Sequence, residues 1–315
     1  VANLDGTHLH AMLNHPRVEL IAGSSRDSGR RERFADRTSA RTYADWRKML
    51  ESEELDIVSV ATYTPYHAEE TIACAERGIG AIYCEKPIAS SLAEAEKMVE
   101  ACEQNGSLLV INHNRRFNAD HRRLQEHIVG GDLGDLVSVS IEWGAGRLGN
   151  VGTHMFDAVC MLTGRCVTAV SATLDLSIRP DCRGPQFHDP GGWGVLRLAG
   201  GTPVTFNASN HARFSPRIVV TGTNGAALVT GEITIEYWDG RTASCASKLS
   251  NLSAMDRAMS EIVATLDGKS FCCPASDAVQ ILEAIVACHA SHRRNAAWTE
   301  LPLFGSDRDI VVRSG

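Results

Sequence analysis

Residues 84–87 read Cys-Glu-Lys-Pro, directly after a short apolar run at 80–84. A lysine at the carboxyl end of a parallel strand stands where open α/β sheets bind ligands. The proline after it removes a backbone donor and restricts the path of the chain, so Lys86 is held at a defined corner. A lysine that is partly desolvated and near another cation has a lowered pKa and can exchange protons near neutrality. Taken alone, Glu-Lys-Pro also fits a solvated lysine before a helix start.

Alternating strands and helices must build that corner. The run 55–61 (LDIVSVA) is β-branched and fits a strand buried on both faces. Residues 65–78 show helical spacing through His67, Ile72 and Ala75 and stop at Gly78. The strand at 80–84, a helix at 92–105 closed by Gly106, and a strand at 107–111 follow. Upstream, 18–23 (VELIAG) reads as a strand, 27–37 as helix-compatible and 43–53 as a short helix. This alternation predicts a parallel, doubly wound sheet of Rossmann type.

The pattern changes after residue 112, where the domain boundary is placed: 1–112 and 113–315. Helices are predicted at 121–128, 153–163 and 276–293, and an exposed-face strand at 136–143. Strands are predicted at 167–177, 193–199, 203–210, 216–222 and 226–237, with turns at Gly200-Gly201, Asn224-Gly225 and Asp239-Gly240. Hairpin-like connections predict an α+β domain with a largely antiparallel open sheet.

Bulk properties narrow the function. The 315 residues suit two domains, and 43% hydrophobic with 22% charged residues is ordinary for a globular protein. The net charge of −7 and the lack of a basic block argue against nucleic acid. No stretch reaches the roughly 20 apolar residues that span a bilayer. The ten cysteines are scattered without a C-x-x-C pair, so free thiols in a reducing, cytoplasmic compartment are expected and no metal site is.

The ordered set of motifs resembles the Gfo/Idh/MocA family of nicotinamide-dependent oxidoreductases. A strand, ATYTPYHAEE (61–70), a helix, a glycine, a strand and Glu-Lys-Pro run in the family's order across 56–90. INHNRRFNAD (111–120) resembles its crossover, GGDLG (130–134) its glycine turn, NVGTHMFD (150–157) its catalytic helix, and 276–303 its final helix and Leu-Pro-Leu tail. The resemblance covers nearly the whole chain.

It implies oxidation or reduction of a sugar, polyol or related hydroxy compound with NAD or NADP. Lys86 would hydrogen-bond the reacting oxygen and His154 would act as general acid–base. Asp157, one turn on, would orient His154 or serve packing. Asn150 stands where many members have aspartate; it can hydrogen-bond a hydroxyl but cannot take a proton. The resemblance places cofactor contacts at Ala2, Asn3, Ser25, Arg26, Thr62, Tyr63, His67, Glu85, Lys86, Asn114 and Arg115. For Arg115-Arg116 a solvated charged pair is an equal reading.

The family's glycine fingerprint is not displayed: counted back from His8, its second and third glycines fall on Ala2 and Asp5, and its first lies before Val1. A fragment lacking the first strand is the expectation. At the end of the second strand, Ser25 and Arg26 replace the usual acid and suit a 2′-phosphate, which favours NADP. In FHDPGGWG (187–194), His188 and Asp189 reach substrate hydroxyls or form a turn with a packed Trp193. The resemblance also implies a homodimer or homotetramer joined through the open sheet face. A non-catalytic cofactor-binding sensor, or redox-neutral chemistry with transient hydride transfer, are the competing readings.

Overall fold

The computed structural model describes residues 6–177, 183–246 and 252–314. The first half alternates strand and helix. α1 (His8–Asn14) precedes β1 (Ala22–Ser24), α2 (Ser28–Thr38), β2 (Arg41–Tyr43) and α3 (Trp46–Ser52). Then come β3 (Ile57–Val60), α4 (His67–Glu76), β4 (Ala81–Cys84), α5 (Leu92–Asn105) and β5 (Leu108–Ile111). α5 is capped by Ser91 at its start and by left-handed Gly106 (φ +68°) at its end, where a side chain would be strained. The three-residue β2 ends at Tyr43, where the helix expected at 43–53 was to begin, and pairs in parallel with β1; the helix itself starts at Trp46.

All pairings in this half are parallel, but they form two sheets, β1-β2 and β3-β4-β5. Between the facing edges of β1 and β3 lies a cleft of about 1360 Å³, lined by 17–27 on one side and 54–63 on the other. Alternate residues of β4 and β5 serve opposite faces, as strand geometry requires. Ile82, Cys84, Leu109 and Ile111 join the core beneath α4 and α5. Ala81, Tyr83 and Val110 join a smaller core with Ala11 and Met12 of α1 and with residues 258–263 from late in the chain.

The second half begins with α6 (Ala119–Val129), β6 (Leu136–Gly144), a π-helical turn at Leu148–Gly152 and α7 (Thr153–Thr163). β7 (Val167–Asp175), β8 (Gly191–Leu198), β9 (Pro203–Ser209), β10 (Arg217–Gly222), β11 (Gly225–Val229), β12 (Ile233–Tyr237) and β13 (Thr242–Ser244) follow. The chain closes with α8 (Ala254–Leu266), α9 (Ala275–Arg293) and β14 (Thr299–Glu300). The nine-stranded sheet runs β13-β12-β11-β10-β6-β9-β8-β7-β14. Its pairs are antiparallel except β6 with β9, which is parallel because both are reached by longer connections. The single strand expected at 226–237 is two, broken by a turn between Val229 and Ile233.

β6 does not lie at an edge; Val139, Ile141 and Trp143 are buried in the centre of the sheet. Trp143, Phe156 and Phe206 pack together, with ring centroids 5.3–6.4 Å apart. α1 and α8 are helices that the sequence reading omits, and α8 is the longer. It starts in a capping box between Ser253 and Asp256, and Ala258, Met259, Ile262 and Val263 cover the second face of β3-β4-β5.

Candidate active site

Lys86 follows β4 at the carboxyl edge of the parallel strands and lines the cleft with Glu85. Its Nζ donates to the backbone oxygen of Asn150 at 2.9 Å and to Asn150 Oδ1 at 3.2 Å. Both acceptors are neutral. Burial draws the Lys86 pKa down to about 8; Arg183 and Arg147 add to the shift, while Glu85 and Asp189 oppose it.

Glu85 is turned away from a free role. His8 Nε2 lies 3.1 Å from its Oε1, and Asn112 Nδ2 donates to the same oxygen at 2.8 Å. Burial works against its ionisation, yet His8, Asn112 and Lys86 together hold its pKa at about 2. His8 is fixed in turn, its Nδ1 2.7 Å from Ser59 Oγ and its ring stacked on Tyr83 at 3.8 Å. The carboxylate thus joins α1 to the sheet.

His154 sits in the first turn of α7, one turn after Asn150. Its Nδ1 is buried and has no hydrogen-bond partner among the described residues. Burial, then the charges of Lys86, His113 and Arg115, push its pKa well below 6.5, so it is neutral at physiological pH. Asp157 does not touch it. Asp157 Oδ1 instead accepts from His113 Nδ1 at 2.7 Å and from Arg116 Nε at 2.8 Å. His113 Nε2 then faces Thr153 Oγ1 at 3.3 Å, and its ring centroid lies 5.9 Å from that of His154. The orienting role open to Asp157 in the sequence reading therefore falls on His113 and Arg116. Arg116 is no solvated charge: it also donates to Asp277 at 2.7 Å.

Of the expected cofactor contacts, Ser25, Arg26, Thr62, Tyr63, Glu85 and Lys86 line the cleft. His67 does not. It is 1% exposed, with Nδ1 2.9 Å from Pro87 O and Nε2 3.1 Å from Thr62 O. It braces the turn after β3 against the Glu-Lys-Pro corner, and burial lowers its pKa. Asn114 and Arg115 lie in a 3-10 turn, Asn114–Phe117, after β5, and Asn114 Oδ1 is buried without a partner among the described residues. Ala2 and Asn3 lie outside the described residues.

At the other end of the cleft, the Arg26 guanidinium carbon lies 5.4 Å from the centroid of the Tyr66 ring. Arg31 Nη1 fixes the turn by donating to the carbonyls of Ser25 at 2.6 Å and Arg26 at 3.1 Å. Asp27, next in sequence, caps α2 by accepting from Arg30 N at 2.7 Å. The cleft runs the length of β1 and β3, and at their carboxyl ends, where open α/β sheets bind ligands, it is lined by the guanidinium of Arg26 and the amine of Lys86.

The family comparison agrees with this geometry. The Gfo/Idh/MocA oxidoreductase-family model, described as an NAD-binding Rossmann fold, matches residues 2–113, and the family's C-terminal-domain model matches 140–228. The chain belongs to the Gfo/Idh/MocA oxidoreductase family. Within it, the chain is 32% identical over 127 residues to a 4-carboxy-2-hydroxymuconate-6-semialdehyde dehydrogenase of Sphingobium sp., covering 40% of each. It is 38% identical over 111 residues to a D-apiose dehydrogenase of Paraburkholderia graminis, covering 35% of this chain and 29% of that relative. The matched stretches thus span well under half of these curated relatives. The structure of a levoglucosan dehydrogenase in complex with NADH and levoglucosan aligns at a TM-score of 0.82 and 20% identity, covering 94% of this chain and 95% of that one, which shows the shared fold.

In the segment 187–194, Asp189 is half-buried and accepts from the backbone N–H of Gly149 at 2.6 Å and of Asn150 at 2.8 Å. His188 forms a backbone bridge with Arg313. Trp193 is not packed but 55% exposed. His113 was visible only as a histidine at a strand exit. Of the other histidines, His211 sits 3.1 Å from Asp175. Among the described residues no group of three or more His, Cys, Asp or Glu side chains is placed to hold a metal ion.

Proposed function

We propose that this chain is an NAD(P)-dependent oxidoreductase acting on a CH–OH group of a sugar, polyol or related hydroxy compound. The observation that carries the reading is Lys86: half-buried at the carboxyl ends of the strands that line the cleft, held by Asn150, and with a pKa of about 8. The sugar and NADH named for the relative and the structural neighbour support it.

A bound nicotinamide supplies or accepts the hydride. Lys86 exchanges the proton. In oxidation its neutral amine takes the proton of the substrate hydroxyl, and in reduction its ammonium returns it. Asn150 holds Nζ in place through two oxygens. His154, its pKa lowered by burial and by the charges of Lys86, His113 and Arg115, offers a hydrogen bond to the same substrate oxygen. Asn114 and Arg115 bound the site from the crossover turn.

NADP is the favoured cofactor. Ser25 and Arg26 face the cleft, Asp27 beside them in sequence is occupied as a helix cap, and Glu70 across the cleft accepts from Thr62 Oγ1 at 2.8 Å. The uncovered face of the nine-stranded sheet, with Trp193 exposed, is the proposed contact between copies in a homodimer or homotetramer.

The test is to titrate the protein with NADPH and NADH by fluorescence, then follow nicotinamide absorbance against a panel of sugars, polyols and their acids. Cofactor binding with substrate-dependent turnover is expected. No binding of either nucleotide would overturn the reading.

A further inference from the structure

We propose that Asp189 is a positioning residue that holds the helix start carrying both Asn150 and His154. The inference rests on the role proposed for Lys86.

The first amides of a helix have no partners within it. Here three consecutive ones are taken by one short segment. Leu148 N donates to Pro190 O at 2.9 Å, Gly149 N to Asp189 Oδ1 at 2.6 Å, and Asn150 N to Asp189 Oδ2 at 2.8 Å. With both carboxylate oxygens on successive N–H groups, the two peptide planes on either side of Gly149 are fixed up to the Asn150 nitrogen. The next plane, which carries the Asn150 carbonyl that accepts from Lys86 Nζ, is held by Val151 N donating to Arg147 O at 2.7 Å, and the same helix carries His154 one turn later.

The clamp has a fixed back wall. A β-carbon on Gly149 would stand 2.7 Å from Val312 Cγ1 and 3.0 Å from Ser314 Cβ, so only glycine lets the turn press against the C-terminal tail. That tail is itself anchored on both sides of the site. Val312 N donates to Ser90 O at 2.8 Å, just past the Glu-Lys-Pro corner, and His188 N donates to Arg313 O at 2.9 Å, beside Asp189. Asp189 is therefore locked relative to Lys86 by backbone bonds. Its charge acts on Lys86 as well as on the two amides.

The experiment compares Asp189→Asn and Asp189→Glu with wild type in two readouts. One is turnover against pH. The other is the pH dependence of Lys86 acetylation by acetic anhydride, read by peptide mass spectrometry, which needs no substrate. In Asp189→Asn one oxygen is replaced by an NH2 group that cannot accept, and the charge is gone. We expect kcat to fall about ten- to hundred-fold, as a displacement near 1 Å does, with the cofactor Kd unchanged and the Lys86 midpoint shifted to lower pH. Asp189→Glu keeps the charge but misplaces the oxygens; its kcat falls while the midpoint stays close to wild type. An Asp189→Asn protein with reduced kcat and an unmoved Lys86 midpoint would overturn the proposal, because a merely structural support predicts that result. Wild-type kcat in Asp189→Glu would overturn it too, and that variant carries the test if Asp189→Asn fails to fold. Full turnover in Lys86→Met would instead defeat the role of Lys86, while the acetylation midpoint still reports on Asp189.

Discussion

Lys86 Nζ and Asn150 are joined twice, at 2.9 Å to the backbone oxygen and at 3.2 Å to Oδ1, across 64 residues of sequence. Because both oxygens are neutral, Asn150 positions the lysine without supplying a counter-charge. Asn150→Asp places a carboxylate at that distance. An opposite charge so close raises a lysine pKa by about 1–3 units. The prediction is a folded enzyme whose oxidation rate limb moves to higher pH by that amount. A pH profile of kcat/KM checks it, and an unmoved limb would remove Asn150 from the site.

Lys86→Met is predicted to abolish turnover yet stabilise the fold at pH 7. The folded pKa of about 8 lies below the ordinary 10.5. At pH 7 the lysine is protonated in both folded and unfolded states, so the full cost of a buried charge is present. That cost fades as pH rises from about 8 to 10.5. Removing the amine is worth on the order of 1–3 kcal/mol at pH 7 and nothing well above pH 10.5. Urea denaturation at the two pH values measures both figures.

Asp157→Asn is predicted to cost about 3–5 kcal/mol, since it leaves Arg116 and His113 buried beside a group that no longer carries charge. Burial opposes ionisation of Asp157, but His113 and Arg116 outweigh it and hold the pKa below the ordinary 3.8. The contribution is therefore complete above about pH 4 and is lost as pH falls through the lowered value. Chemical denaturation should show the gap between variant and wild type closing only in strong acid.

Arg26→Ala is predicted to lower affinity for NADPH about tenfold or more while leaving NADH within a few-fold, because one charge-assisted contact to a phosphate is lost. Fluorescence titration reads the ratio. An unchanged ratio would assign Arg26 to stacking on Tyr66 and the adenine alone.

Which parts were legible from sequence follows from range. Strands β3 to β5 and helices α4, α5, α7 and α9 announce themselves through apolar runs, periodicity and glycine stops within a dozen or so residues. β2 is three residues long, too short to show a period, and only its last residue, Tyr43, falls in the helix expected at 43–53. α8 had a readable signal, Ser253 three residues before Asp256 and apolar residues at 258, 259, 262 and 263, but its partner sheet lies some 150 residues upstream, so nothing local called for a helix there. Lys86 stood out because a proline and a strand end frame it. Asp189 stands out only as a candidate for a substrate hydroxyl or a turn, because its bonds to the helix start depend on amides 39 and 40 residues away. His113 and Asp157 were likewise opaque until the fold brought them to 2.7 Å.

The central claim is that Lys86 exchanges the substrate proton. Its most direct test is kcat/KM for oxidation across pH, in wild type and Lys86→Met, with the best substrate found. The wild-type rate is predicted to rise with pH to a plateau through about 8, as the amine loses its proton. Lys86→Met is predicted to fall about 10²- to 10⁴-fold at every pH with the cofactor still bound. A variant that keeps wild-type turnover and the same pH limb would contradict the account.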